Sequence, residues 1–359
     1  MPGRLAACLI LAIFTLIAAP ALPQEQTATI VRQAIDGFVR PGYAAFHRAT
    51  VELSATVDAL CETRSQLALD AARQDFGKTV DAWSRIEIIR FGPVTEQNRL
   101  ERVLFWPDRK GTGLRQVQAA LGDKDKSAAD PARLAGKSVA MQGLGALEFV
   151  LFGTGADTLS EAGDPYRCAY GSAIAANLET IAGDVENAWA DAGGFAVLWA
   201  SPGPDNQLYR DDREALTELM DVFVTGFELV RDVRLGGFLG AEPGKDRPKQ
   251  ALFWRSGNTV AALAGNIAGM QALFEASRLG DAVGPDMDWI ADSASFEFAN
   301  AAKAVAAADG SIADVLADPE RRGKLSYFGI VTSSLSEIFG TRLSAELGLT
   351  AGFSSLDGD

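Results

Sequence analysis

The stretch Met141-Gln142-Gly143-Leu144-Gly145-Ala146-Leu147-Glu148-Phe149-Val150-Leu151-Phe152-Gly153 sets one carboxylate among apolar residues and stops at a glycine. In a helix, Met141, Leu144, Glu148 and Leu151 share one stripe, which places Glu148 on an apolar face. Burying an ionised carboxylate without a partner is costly. Glu148 should therefore meet a metal, an arginine or a ligand, or hold a proton; the alternative is a core acid satisfied by its neighbours.

Three further segments combine polar side chains with aromatic residues and glycines. Ile88-Ile89-Arg90-Phe91-Gly92-Pro93 offers Arg90, Phe105-Trp106-Pro107-Asp108 offers Trp106 and Asp108, and Phe253-Trp254-Arg255-Ser256-Gly257-Asn258-Thr259 offers Arg255, Ser256 and Asn258. Ser256 or Asn258 is suited to cap a helix starting there, leaving backbone N–H groups and Arg255 to meet an anion; plain capping and packing is the other reading. Asp81, Glu87, Glu101 and Asp108 are acids within reach of an interhelical site, and spacing does not choose among them.

Several chemistries are excluded by what is missing. The single histidine, His47, sits beside Phe46 in a helical pattern, so a His-Glu-x-x-His zinc protease cannot be built. No Gly-x-Ser-x-Gly elbow occurs. Gly136-Lys137-Ser138 has the tail of a phosphate loop, but Pro131 stands where its leading glycine belongs and no strand precedes it.

The elements that must position these residues are helical. Tyr43, Phe46, Thr50, Leu53, Val57 and Leu60 follow 3-4 spacing, as do Leu69, Ala72, Phe76, Thr79, Trp83 and Ile86, whose helix should run to about Arg90 before Gly92-Pro93 breaks it. An irregular connection with two short helical pieces follows from Phe91 to Ala129. A third helix is expected from about Pro131 to Phe152 and a fourth from about Cys168 to Asp191. Leu216 to Val230 and Val260 to Phe274 mark a fifth and a sixth, and residues from about Asp286 to Ala308 and Gly323 to Glu346 supply two more. No alternating runs predict a sheet. The fold class is therefore all-α, with a bundle over residues 22–195, a Pro/Gly-rich linker at 196–206 and a second bundle over 207–359.

The chain opens with Arg4, an apolar run from Leu5 to Ala18 and Ala19-Pro20-Ala21, the pattern of a signal peptide over residues 1–21, and no later stretch reads as a transmembrane segment. Export to the periplasm or cell envelope is expected. Removing this leader takes one of 33 basic residues and none of 47 acids, leaving a net charge near −15. Such a surface disfavours nucleic acid as a partner. Cys61 and Cys168 remain, and an oxidising compartment favours pairing them if their Cα atoms approach within about 7 Å; two buried thiols are the alternative.

Taken together, Pro41-x-Tyr43, Leu60-Cys61, Ala82-Trp83, Arg90-Phe91-Gly92-Pro93, Phe105-Trp106-Pro107-Asp108, Phe253 to Thr259 and the terminal Gly352 to Asp359 resemble the imelysin family, once classed as M75 peptidases. The resemblance implies two similar four-helix bundles, a site at their interface and a role in iron uptake. The family signature Gly-x-His-x-x-Glu aligns with Gly143-Leu144-Gly145-Ala146-Leu147-Glu148, so Gly145 replaces the histidine and Glu148 alone carries over as a metal ligand. These observations favour a non-catalytic binding protein for iron, another divalent or trivalent metal, or a small anionic ligand, with Arg90 or Arg255 meeting a ligand carboxylate. A metallopeptidase, and an envelope module whose Trp106 and Trp254 contact a protein or polysaccharide, are the alternatives.

Overall fold

The computed structural model describes residues 24–161 and 163–349; the leader at 1–21 and the segment Gly352 to Asp359 lie outside them. No strand occurs among the described residues, and none of their helices is long and apolar enough to cross a membrane. Helix α1, Gln24–Ala34, passes through a π-helical turn, Ile35–Val39, into α2, Arg40–Thr63. With α3, Gln66–Ile86, α4, Leu144–Phe152, and α5, Pro165–Ala190, α2 forms a first four-helix bundle. Helices α6, Asp212–Glu228, α7, Thr259–Ser277, α8, Asp288–Ala306, and α9, Pro319–Glu337, form a second.

Local chemistry sets these boundaries. Ser65, Asp164, Asp211 and Asp318 each accept a backbone N–H at the start of a helix, and α5 and α9 begin with proline, whose missing N–H costs nothing there. The expected stripes are buried: Tyr43, Phe46, Leu53, Val57 and Leu60 on α2, and Leu69, Phe76, Trp83 and Ile86 on α3. The second core centres on Phe223, Phe227, Phe274, Phe298 and Phe339, with the Phe223 and Phe339 rings 4.4 Å apart.

The helix expected from Pro131 to Phe152 is broken. A single turn, Pro131–Leu134, and a 3-10 turn, Val139–Met141, precede α4. Gly143 has φ +83° and passes so close to the short helix Arg99–Val103 that a Cβ there would lie 2.3 Å from the Arg102 carbonyl oxygen. Only glycine fits, and the helix restarts at Leu144. Met141 is thus off the Glu148 stripe, and α4 is buried on nearly every side rather than amphipathic.

Three of the contacts that tie the molecule together involve α2, α3 and α1. Cys61 and Cys168 are disulfide-bonded with Cα atoms 5.5 Å apart, joining the end of α2 to the start of α5. Where α3 crosses α7, a Cβ on Gly269 would stand 2.0 Å from the Arg85 carbonyl oxygen, so glycine sets the close approach of the two bundles. Helix α1, at the head of the chain, packs against α6 and α7 of the second bundle. The stretch 196–206 includes most of the short helix Phe195–Ala200, whose buried Trp199 donates its Nε1–H to Ala215 O at 2.9 Å.

Candidate functional site

A cleft of about 600 Å³ opens where the bundles meet. One wall comes from the Leu104–Gly113 connection and from Gly145, Glu148 and Phe149 of α4; the other comes from Asp232 to Gly237 and from Arg247 to Arg255. Trp106, Asp108, Glu148 and Arg255 line it together. Arg90 does not: it is exposed and lies outside the lining, although its charge is felt by Tyr43 and Arg234.

Glu148 crosses between the bundles. Its Oε1 accepts the backbone N–H groups of Arg255 at 3.1 Å and Ser256 at 3.0 Å, and lies 2.9 Å from Ser256 Oγ. The Ser256 hydroxyl also lies 3.1 Å from Phe253 O, so one proton serves two acceptors. The loop that presents these donors is bent by Phe253 at φ +57° and Gly257 at φ +75°. The backbone N–H groups turned onto Glu148 belong to Arg255 and Ser256, ahead of the α7 N-terminus at Thr259 where an anion site is expected. Asn258 takes the N-cap position of α7 without a side-chain capping bond, its Nδ2 3.5 Å from Ser256 O.

Arg255 Nη1 stands 4.0 Å from Glu148 Oε2, and the guanidinium lies 4.5 Å from the Trp254 ring centroid and 5.5 Å from that of Phe149. Burial pushes the Glu148 carboxyl above its usual range, against the opposing pull of the Ser256 donors and the Arg255 charge. Burial likewise lowers the Arg255 guanidinium, opposed by Glu148.

Asp108 is a helix cap: its carboxylate accepts from the backbone N–H groups of Thr112, Gly113 and Leu114 at 2.6, 2.9 and 3.3 Å. Trp106 precedes a cis peptide bond to Pro107, and Arg234 lies 4.6 Å from its ring centroid. Behind Trp106, Arg234 Nη2 donates to Glu87 Oε2 at 2.6 Å, and Asn266 Nδ2 donates to Glu87 Oε1 and Ser84 O, both at 2.7 Å. Glu87, one of the four acids within reach on paper, is thus spent on a buried bundle-to-bundle pair. Asp81 pairs with Arg85, and His47 pairs with Glu186 away from the cleft.

The donor set around Glu148 does not fit a bare metal ion. One oxygen already takes three donors and the other faces a guanidinium, which competes with a cation. Among the described residues no three His, Cys, Asp or Glu side chains are grouped to hold one. Glu148, expected as a metal's oxygen donor, instead clips two bundles. The sequence reading missed Arg109, Arg247 and Lys249, which line the same cleft. Their signal was adjacency: Arg109 follows Trp106-Pro107-Asp108, and Lys249 stands four residues before Phe253.

Comparison with known proteins places this geometry. The family described as Imelysin, Peptidase_M75, matches residues 39–334. A curated relative, Iron-regulated protein A of Synechococcus elongatus, is 24% identical over 86% of this chain and 84% of its own. An imelysin-like protein from Psychrobacter arcticum 273-4 superposes with TM-score 0.78 at 19% identity, covering 94% of this chain and all of its own. A structure from Parabacteroides distasonis ATCC 8503 that bears the name of an iron-regulated protein A precursor gives TM-score 0.72 at 13% identity over 90% and 96% of the two chains.

Proposed function

We propose, for a chain that belongs to the imelysin family, that it is an exported, non-catalytic binding protein of the periplasm or cell envelope, linked to iron uptake, whose ligand sits in the cleft between the bundles. The observation that carries this reading is the cleft itself: about 600 Å³, walled by both bundles and lined by Trp106 and Trp254, with Glu148 bonding one wall to the other. The iron link rests on the names of relatives, one of them called Iron-regulated protein A. Because the residues at Glu148 do not suit a bare ion, iron is read as cargo within a chelate. A peptidase would need a metal and a positioned water, and the one carboxylate carried over from the family signature is engaged in the Glu148 clip.

Tryptophan fluorescence tests the reading. Ferric citrate and a neutral ferric hydroxamate chelate are titrated into the mature protein and into Trp254→Leu. A saturable change in the native protein that shrinks in the variant supports the cleft; no saturable response to either chelate overturns it.

A further inference from the structure

We infer that the cleft selects an anion, a small polycarboxylate free or as its metal chelate. This rests on the reading of the cleft as a ligand site and concerns what that site accepts.

The charges that line the cleft are unequal in what they have left to offer. Its three acids are engaged: Asp108 by three backbone N–H groups, Glu148 by three donors from the 255–256 loop, and Asp232 by both Arg231 nitrogens, at 2.8 and 2.6 Å. Its cations are not. Among the described residues no carboxylate lies within 4.0 Å of the side-chain nitrogens of Arg109, Arg247 or Lys249. Arg255 touches a carboxylate only at that limit.

That asymmetry runs against the chain as a whole, whose formal net charge is −14. An acidic protein repels anions over most of its surface, so the exposed Arg109, Arg247 and Lys249, which line one concave site without a carboxylate partner, create a local field of opposite sign. Low-dielectric walls such as Trp106, Phe149 and Trp254 strengthen it. Guanidinium groups pair with carboxylates through two parallel N–H bonds, and here three of them border one cavity. Solvated rim cations are the plain alternative. They would not require that every acid of the same cleft already be hydrogen-bonded to a fixed donor of the protein. A bare cation would meet the opposite of what it needs.

The test uses the full mature chain and three probes: metal-free citrate, ferric citrate and a neutral ferric hydroxamate chelate, followed by calorimetry and by melting temperature. Citrate or its ferric chelate is expected to bind, with affinity falling as salt rises. Arg247→Ala/Lys249→Ala should weaken binding about tenfold or more, the loss of two charge-assisted contacts, with an unchanged circular dichroism spectrum. Binding by ferric citrate alone assigns the chelate as the source; equal binding by metal-free citrate assigns the free anion. A neutral chelate that binds as tightly, or a double variant that binds citrate as the native protein does, overturns the anion inference and leaves the cleft as a ligand site. No response to any of the three overturns both.

Discussion

Glu148 Oε1 and the Ser256 backbone nitrogen lie 3.0 Å apart across 108 residues of sequence, so one carboxylate oxygen of the first bundle holds a loop of the second. Removing that oxygen leaves the partly buried N–H groups of Arg255 and Ser256 without their acceptor. Glu148→Ala is expected to lower unfolding free energy by about 3 kcal/mol. Denaturant midpoints with unchanged m-values would measure it, and a loss below a few tenths of a kcal/mol would show that the clip is not structural.

The same carboxyl gives stability a pH dependence. Its folded pKa is raised above the ordinary 4.5 by burial, so the folded state binds the proton more tightly than the unfolded chain. Its contribution is fully present below about 4.5 and is lost as pH rises through the raised value. Glu148→Gln, which keeps the acceptor and cannot ionise, should therefore gain on the native protein as pH rises through that window. A difference that stays flat from acid to neutral pH would contradict this.

Gly145 faces the cleft, and a Cβ added there meets nothing within 4 Å. Gly145→His should fold, with a helix-propensity gain of a few tenths of a kcal/mol over glycine. Zinc is expected to leave its melting temperature unchanged, because Glu148 offers no free oxygen away from Arg255. A zinc-dependent rise would show that Glu148 still supplies a ligand.

The Glu87–Arg234 pair is 1% and 5% exposed, and breaking it strands a charge. Arg234→Ala should cost about 3 to 5 kcal/mol, while Glu87→Leu/Arg234→Met should recover much of the loss. Urea unfolding of the two variants decides it; a double variant as unstable as the single one would mean that the pair's contacts, not its charges, matter.

The Cys61–Cys168 bond closes a loop of 107 residues. Cys61→Ser/Cys168→Ser is expected to lose about 2 to 5 kcal/mol, a range that the loop-entropy argument reaches at its upper end. A native midpoint unaffected by reductant would refute this.

The helical stripes were legible because burial repeats at 3-4 spacing: Phe46, Leu53 and Leu60 on α2 needed nothing but periodicity. The break before α4 was not, since Gly143 is glycine owing to a backbone 41 residues away in sequence, at Arg102. Helix α1 is not legible because its sequence is mixed; its buried Ile30 and Val31, with Ile35, Phe38 and Val39 of the π-helical turn that follows, lie on elements that pack against the second bundle. In the site, Glu148 was singled out by the cost of burying it, but its partners are a loop's N–H groups, which no side-chain pattern announces. Asp108 was read as a ligand group, and its role as a cap at Thr112 followed from the turn geometry of the Asp108–Thr112 segment.

The placement of α1 also fixes an order of assembly. Helix α1 packs against helices that begin at Asp212 and end at Ser277, so its second-bundle partners lie 178 to 243 residues beyond its end at Ala34. Docking of α1 onto those helices must wait for the middle of the chain, a step of high contact order that slows completion of the fold. A fragment stopped at residue 211 would carry every helix of the first bundle and lack both second-bundle helices against which α1 packs.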